Sequence, residues 1–281
     1  MKQESKSKTS DWALILGASS GFGGAAAIEL AKHGYNIFGV HLDRQASMPA
    51  VEQIIKEIKH TGSKAVFFNI NAADSIKRAE TLDDIQERFQ EESHPTIKVL
   101  LHSLAFGTLK PFVARKAEDS ITQAQMEMTI DVMANSLVYW VQGLVARNLM
   151  KKGGRIFSMT SSGGHSSIPN YGAVSAAKAA LESHTRQLAL ELGHLGITVN
   201  AIMAGVTDTP ALRKIPGNVG MLDVARAKNP GGRLTTPEDV AKAIALLADE
   251  RSFWISGNVI GVDGGEDVVS FIGQKNPADQ S

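Results

Sequence analysis

Short apolar runs alternate along this chain with longer segments whose apolar positions recur at helical spacing. The runs at 12–17 (WALILG), 36–42 (NIFGVHL), 64–70, 97–103 (IKVLLHS), 155–160, 197–203 and 258–262 predict strands. The segments at 24–33, 50–60, 75–91, 122–151, 173–194 and 237–248 predict helices, the first two ended by Gly34 and Gly62. Strict alternation predicts an α/β fold: one doubly wound parallel sheet of about seven strands, with helices on both faces. Such sheets bind ligands beyond the carboxyl ends of their strands, where the strand order reverses. Chemistry is therefore sought just after each strand.

Composition narrows the field. Nothing in the 281 residues reads as a linker, so one domain is expected over 11–274, between mobile tails at 1–10 and 275–281. Lys plus Arg and Asp plus Glu both number 29, which leaves no global basic field for nucleic acid. The chain has no cysteine, which removes disulfides, thiolate metal sites and thiol nucleophiles, and no HExxH pattern, so no metal is assigned. The polar start MKQESKSKTS is no secretory signal. No apolar run approaches the roughly 20 residues that span a bilayer. A soluble, cytoplasmic protein with no membrane partner is expected.

Two stretches carry candidate chemistry. After the first strand comes Gly17-Ala18-Ser19-Ser20-Gly21-Phe22-Gly23. Its glycines permit a tight turn and close backbone approach to phosphate, and the following helix start offers free N–H groups for a pyrophosphate. A glycine triplet alone can be an ordinary loop; its place between a strand and a helix reads as a Rossmann-type dinucleotide turn. The second stretch, SMTSSGGHSSIPNYGAVSAAKAAL at 158–181, holds Ser161 in a serine cluster, then Tyr171, then Lys178. Seven positions turn a helix by about 700°, so Tyr171 and Lys178 share roughly one face. The bland alternatives are a capping Tyr, a solvated Lys and a loop Ser.

The G-x-x-x-G-x-G spacing resembles the short-chain dehydrogenase/reductase family, and the resemblance covers nearly the whole chain. Asn71 and Ala72 fall where that family places an Asp and an apolar residue beside the adenine. His102-Ser103-Leu104-Ala105 replaces its Asn-Asn-Ala-Gly. Ala204-Gly205, followed by Val206, and Thr209 match its Pro-Gly and Thr, and Val262-Asp263-Gly264-Gly265 matches its C-terminal signature. Mainstream members separate the Tyr and Lys by three residues; here that position holds Val174, and Tyr171 gives Tyr-x6-Lys. Three extra residues move the phenol about 4.5 Å along the helix. Conjugate reduction sends hydride to C3 while charge collects on the oxygen of C1, which suits a donor displaced in this way.

Tyr-x6-Lys, His102–Phe106 and Ile168-Pro169-Asn170-Tyr171 resemble the enoyl-acyl-carrier-protein reductases. Asp131 stands where mainstream dehydrogenases carry a catalytic Asn, although a structural helix residue is the simpler reading. Ser161 occupies the mainstream catalytic Ser position, where many enoyl reductases have a second Tyr. The resemblance implies NAD(P)H-dependent reduction of the 2,3 double bond of an enoyl thioester on acyl carrier protein, in fatty-acid synthesis. Tyr171, Lys178 and Ser161 would be catalytic, with Lys178 on the ribose hydroxyls. The alternative is a ketone or alcohol oxidoreductase, such as a ketoacyl-carrier reductase or hydroxysteroid dehydrogenase. A third is a dinucleotide-binding regulator without catalysis.

Three further expectations concern selectivity and assembly. By register, His41 ends the second strand where an acidic residue would mark the non-phosphorylated cofactor; Arg44 follows, and NADPH is favoured over NADH. Asp43 would reverse this by pointing inward to the ribose, or would pair with Arg44 if it points outward. The Gly- and Pro-rich run at 207–232 is read as a substrate lid. The apolar helices at 122–151 and 173–194 imply a homotetramer, since the family's equivalent helices pack between subunits.

Overall fold

The computed structural model describes residues 11–92, 95–215 and 217–270. The expected tails at 1–10 and 275–281 lie outside the described residues. Strands β1 (Asp11–Leu16), β2 (Asn36–His41), β3 (Ala65–Asn69), β4 (Thr96–His102), β5 (Arg155–Thr160), β6 (Thr198–Ala204) and β7 (Val259–Val262) form one parallel sheet in the order β3-β2-β1-β4-β5-β6-β7. The order reverses between β1 and β4, and the carboxyl ends of those strands open the crevice.

The helices are α1 (Gly21–Lys32), α2 (Met48–His60), α3 (Ser75–Gln90), α4 (Gln123–Ile130), α5 (Ser136–Ala146), α6 (Gly172–Leu192), α7 (Asn218–Lys228) and α8 (Pro237–Leu247). Leu14, Leu16, Phe38, Leu100 and Ile156 face a layer built on Leu137, Trp140, Leu144, Leu181 and Leu188 of α5 and α6. Ala13, Ile15, Ile37, Leu101 and Phe157 face Ala26, Ala27 and Leu30 of α1 and Val240 and Ile244 of α8. Burial on both faces is why these strands read as unbroken apolar runs.

The structure departs from the predicted elements in two places. The helix expected at 122–151 is interrupted by a π turn at Asp131–Asn135 and ends at Ala146. Three successive residues, Val132, Met133 and Ala134, are all buried there. A regular 3.6-residue helix would turn one of them outward, and a wider turn keeps all three inside. Asn148, at φ 53°, then reverses the chain so that Leu149 and Met150 enter the core. The second departure is α7, a helix inside the 207–232 run, where the apolar pattern predicts none.

Candidate active site

The glycine turn is a steric solution. Gly17 N and Ala18 N both donate to Val40 O, at 2.8 and 3.0 Å, which ties the turn to β2. Gly17 has φ 90°, and a Cβ there would lie 2.4 Å from Ser103 O. A Cβ on Gly23 would lie 2.1 Å from Gly17 O. Ser20 caps α1 without a side-chain hydrogen bond, so the first-turn N–H groups stay open. The Thr209 methyl reaches over Gly21, 3.6 Å from where a Cβ would stand, and brings the segment after β6 onto the turn. A close backbone cradle at an uncapped helix start fits a pyrophosphate. Ser19 is half-buried in this turn, and Phe22 packs into the α1–α8 layer.

At the end of β2 the His41 ring is buried, 6.0 Å from the Phe67 ring, and its Nδ1 lies 3.0 Å from Asp43 Oδ2. Asp43 N donates to Asn69 Oδ1, and Asn69 Nδ2 donates back to Asp43 O. Asp43 thus follows neither expected course cleanly, because it is half-buried and paired with His41. Arg44 is exposed, and its guanidinium has no acidic partner among the described residues. Asn71 is exposed and folds its Oδ1 onto Ala73 N, while Ala72 is buried with its carbonyl held by Trp140 Nε1. Ser103 and Leu104 stand beside Gly17, and Ala105 is exposed. Gly205 is buried under Thr235, and Val206 N donates to the Glu266 carboxylate.

The other side of the crevice is tied to the sheet by buried polar contacts. His102 Nε2, from β4, lies 2.8 Å from Ser136 Oγ, which donates to Val132 O of the π turn at 2.7 Å. Ser158 of β5 meets Thr185 of α6, and Thr160 Oγ1 donates to Glu182 Oε1 at 2.6 Å. Lys178 is 6% exposed, and its Nζ donates to Met159 O at 2.6 Å. Burial draws its pKa down to about 8, against the pull of Glu182. His102 drops to about 3 through burial and the nearby Lys178 charge, so it is a neutral structural residue.

Tyr171 sits at the start of α6. Pro169 and Asn170, with φ 62° at Asn170 and Tyr171 N bonded to Ile168 O, make the tight turn that delivers it. Burial raises the phenol pKa, and the adjacent Ser161 hydroxyl lowers it in part. Ser161 Oγ is itself buried and lacks a well-formed hydrogen bond, so the pair leaves polar capacity for a ligand. Gly163 lies against both, since a Cβ there would stand 2.6 Å from the Tyr171 ring and 3.2 Å from Ser161 Oγ. Burial and Ser161 are the influences on the Tyr171 phenol, and Lys178 is not among them. Seven positions put about 10.5 Å of helix between the two residues.

Val174, at the mainstream Tyr position, is buried with Met133 and Ala177. The charge of Asp131 is felt by Arg78, whose guanidinium lies over the Tyr139 ring at 5.1 Å. Sequence reasoning missed Thr160, Glu182 and the π turn. The only available signal was that Glu182 lies one helical turn beyond Lys178.

No helix of the described residues is long and apolar enough to cross a membrane. Residues 17–266 match the profile of a family described as Enoyl-(Acyl carrier protein) reductase. The chain is 32% identical to a hydroxynaphthalene reductase-like protein of Metarhizium guizhouense, with 90% of this chain and 93% of that one covered. It superposes on a short-chain dehydrogenase from Burkholderia cenocepacia in complex with NADP at TM-score 0.77 and 25% identity, covering 92% of this chain and 99% of the other. An enoyl-[acyl-carrier-protein] reductase (NADH) from Aquifex aeolicus matches the fold at TM-score 0.78 and 24% identity, covering 93% and 98%.

Proposed function

Because this chain belongs to the short-chain dehydrogenase/reductase family and is an oxidoreductase that works with a nicotinamide cofactor, we propose that it reduces the 2,3 double bond of enoyl thioesters carried on acyl carrier protein, in fatty-acid synthesis. The observation that carries this reading is the position of Tyr171, at the α6 start beside Ser161, while an apolar Val174 fills the position nearer Lys178. When bound, the cofactor would supply the hydride that C3 of the substrate accepts, and the resulting enolate would take a proton at C2 from solvent. Tyr171 keeps its proton because it is buried, and its phenol donates to the thioester oxygen as enolate charge develops there. Lys178 is anchored by Met159 O with N–H groups to spare for ribose hydroxyls. Gly17, Ser19, Ser20, Gly21, Phe22 and Gly23 cradle the pyrophosphate, with Thr209 above them and Ser103, Leu104, Ala105, Gly205 and Val206 along the crevice. Asn71 and Ala72 border the adenine.

The second reading, ketone reduction, is favoured by the Ser161–Tyr171 pair, which could grip one carbonyl oxygen together, and by the name of the Metarhizium relative. Nicotinamide absorbance should be followed with an enoyl and a ketoacyl thioester side by side. Enoyl turnover is expected to dominate, and Tyr171→Phe to lower it roughly 10²–10⁴-fold, the scale for losing an acid or oxyanion donor. Ketone turnover alone would give the case to the second reading.

NADPH is the proposed cofactor, since Asp43 is engaged by His41 and Arg44 is exposed at the β2 end. The segment at 207–232, now seen to contain α7, is proposed to cover the substrate. A homotetramer is also proposed, although most apolar residues of α5 and α6 are spent on the core. What supports it better is Leu190 at 75% exposure, with Phe253 at 60% and Trp254 at 88%. A monomeric mass in solution at micromolar concentration would overturn it.

A further inference from the structure

Lys178 is a buried cation with no counter-charge in contact among the described residues. Its ammonium has one neutral hydrogen-bond partner, Met159 O, and no carboxylate among the described residues lies within ion-pair distance. An ammonium removed from water without a counter-charge tends to lose its proton. Glu182 lies one turn further along α6, and positions four apart share a helix face. Its carboxylate is fixed in place: Thr160, the last residue of β5, donates to Oε1 at 2.6 Å. Gly164 lets the loop after β5 run close to both residues, since a Cβ there would stand 3.1 Å from Glu182 Oε1 and 3.4 Å from Lys178 Cβ. From β4, the charged-or-neutral group facing Lys178 is His102, which burial keeps neutral and which therefore supplies no counter-charge.

We propose that Glu182, held by Thr160, is a positioning residue that keeps the Lys178 ammonium charged for the cofactor ribose without binding it directly. This rests on the reading of Lys178 as the group that holds the ribose hydroxyls. Direct contact would occupy the N–H groups the ribose needs, and a carboxylate anchored on the sheet supplies the field alone. The sign follows from the two opposed influences on Lys178. Burial, opposed by Glu182, leaves its pKa at about 8, so removal of Glu182 lets burial act unopposed and the proton leaves at lower pH.

The test is cofactor affinity from pH 6 to 9.5, read by nicotinamide fluorescence in the full-length protein, with kcat/KM measured alongside. Wild-type affinity is expected to weaken as pH rises through about 8. In Glu182→Gln that midpoint should fall by about half to one pH unit, with affinity at pH 6 within about twofold of wild type. Thr160→Val should move it the same way by less, because the carboxylate loses its anchor and keeps its charge. An unmoved midpoint in Glu182→Gln, with affinity lowered equally at every pH, would mark a merely structural glutamate and overturn the proposal. A flat wild-type profile would overturn it too. Lys178→Met separates the two layers: if it binds cofactor normally, the reading of Lys178 fails, whatever Glu182 does to the profile.

Discussion

The two walls of the crevice work by different physics. On the α1 wall the site is backbone: Gly17 and Gly23 leave out side chains so that a strand, a turn and a helix start can come within van der Waals contact, and Gly21 takes a left-handed φ of 52°. On the α6 wall it is side chain: Tyr171, Lys178, Ser161 and Glu182 are polar groups whose behaviour is set by burial and by what each touches. One wall tolerates almost no added atom and asks little of electrostatics. The other is sensitive to charge.

That contrast can be broken most forcefully on the first wall. Gly23→Val places a branched side chain where a Cβ already meets Gly17 O at 2.1 Å, and a backbone carbonyl cannot swing aside as a side chain can. The turn must then open. Two hydrogen bonds to a charged pyrophosphate, at about 1.5–3 kcal/mol each, would be lost, so cofactor affinity should fall at least about 10²-fold. Equilibrium binding with a thermal melt of the same sample checks this. Near-normal affinity in a folded variant would mean that the close approach is not what makes the site.

The same contrast explains what could be read from the sequence. Backbone sterics leave their mark locally as glycine, so the cradle was legible at Gly17–Gly23, as was the α/β alternation that places it at a strand end. The Tyr-x6-Lys gap was legible as a spacing. The electrostatic character of the second wall was not, because it depends on Thr160 arriving beside Glu182 from 22 positions away and on Met159 O meeting Lys178 from 19 away. The π turn escaped because 131–135 contains no Gly or Pro to mark a break in the helix. His41 was placed correctly at the end of β2, yet its burial and its hold on Asp43 follow from packing on Phe67 that no local pattern announces.

The finest test concerns Arg44, a charged side chain at the edge of the wall that otherwise works through its backbone. With Asp43 turned to His41, the group left free to meet a 2′-phosphate is the exposed guanidinium. An Arg–phosphate contact at an exposed site is partly screened by solvent, so its loss should be worth less than a buried charge-assisted bond, about 1–2 kcal/mol or roughly 10-fold. Arg44→Ala should therefore lower kcat/KM for NADPH by that factor and leave kcat/KM for NADH nearly unchanged. Higher salt should shrink the wild-type preference in the same direction. A wild-type preference for NADH, or an unchanged NADPH-to-NADH ratio in Arg44→Ala, would remove Arg44 from cofactor selection. Discrimination at the β2 end would then rest on Asp43, whose carboxylate would have to leave His41 to meet the ribose hydroxyls.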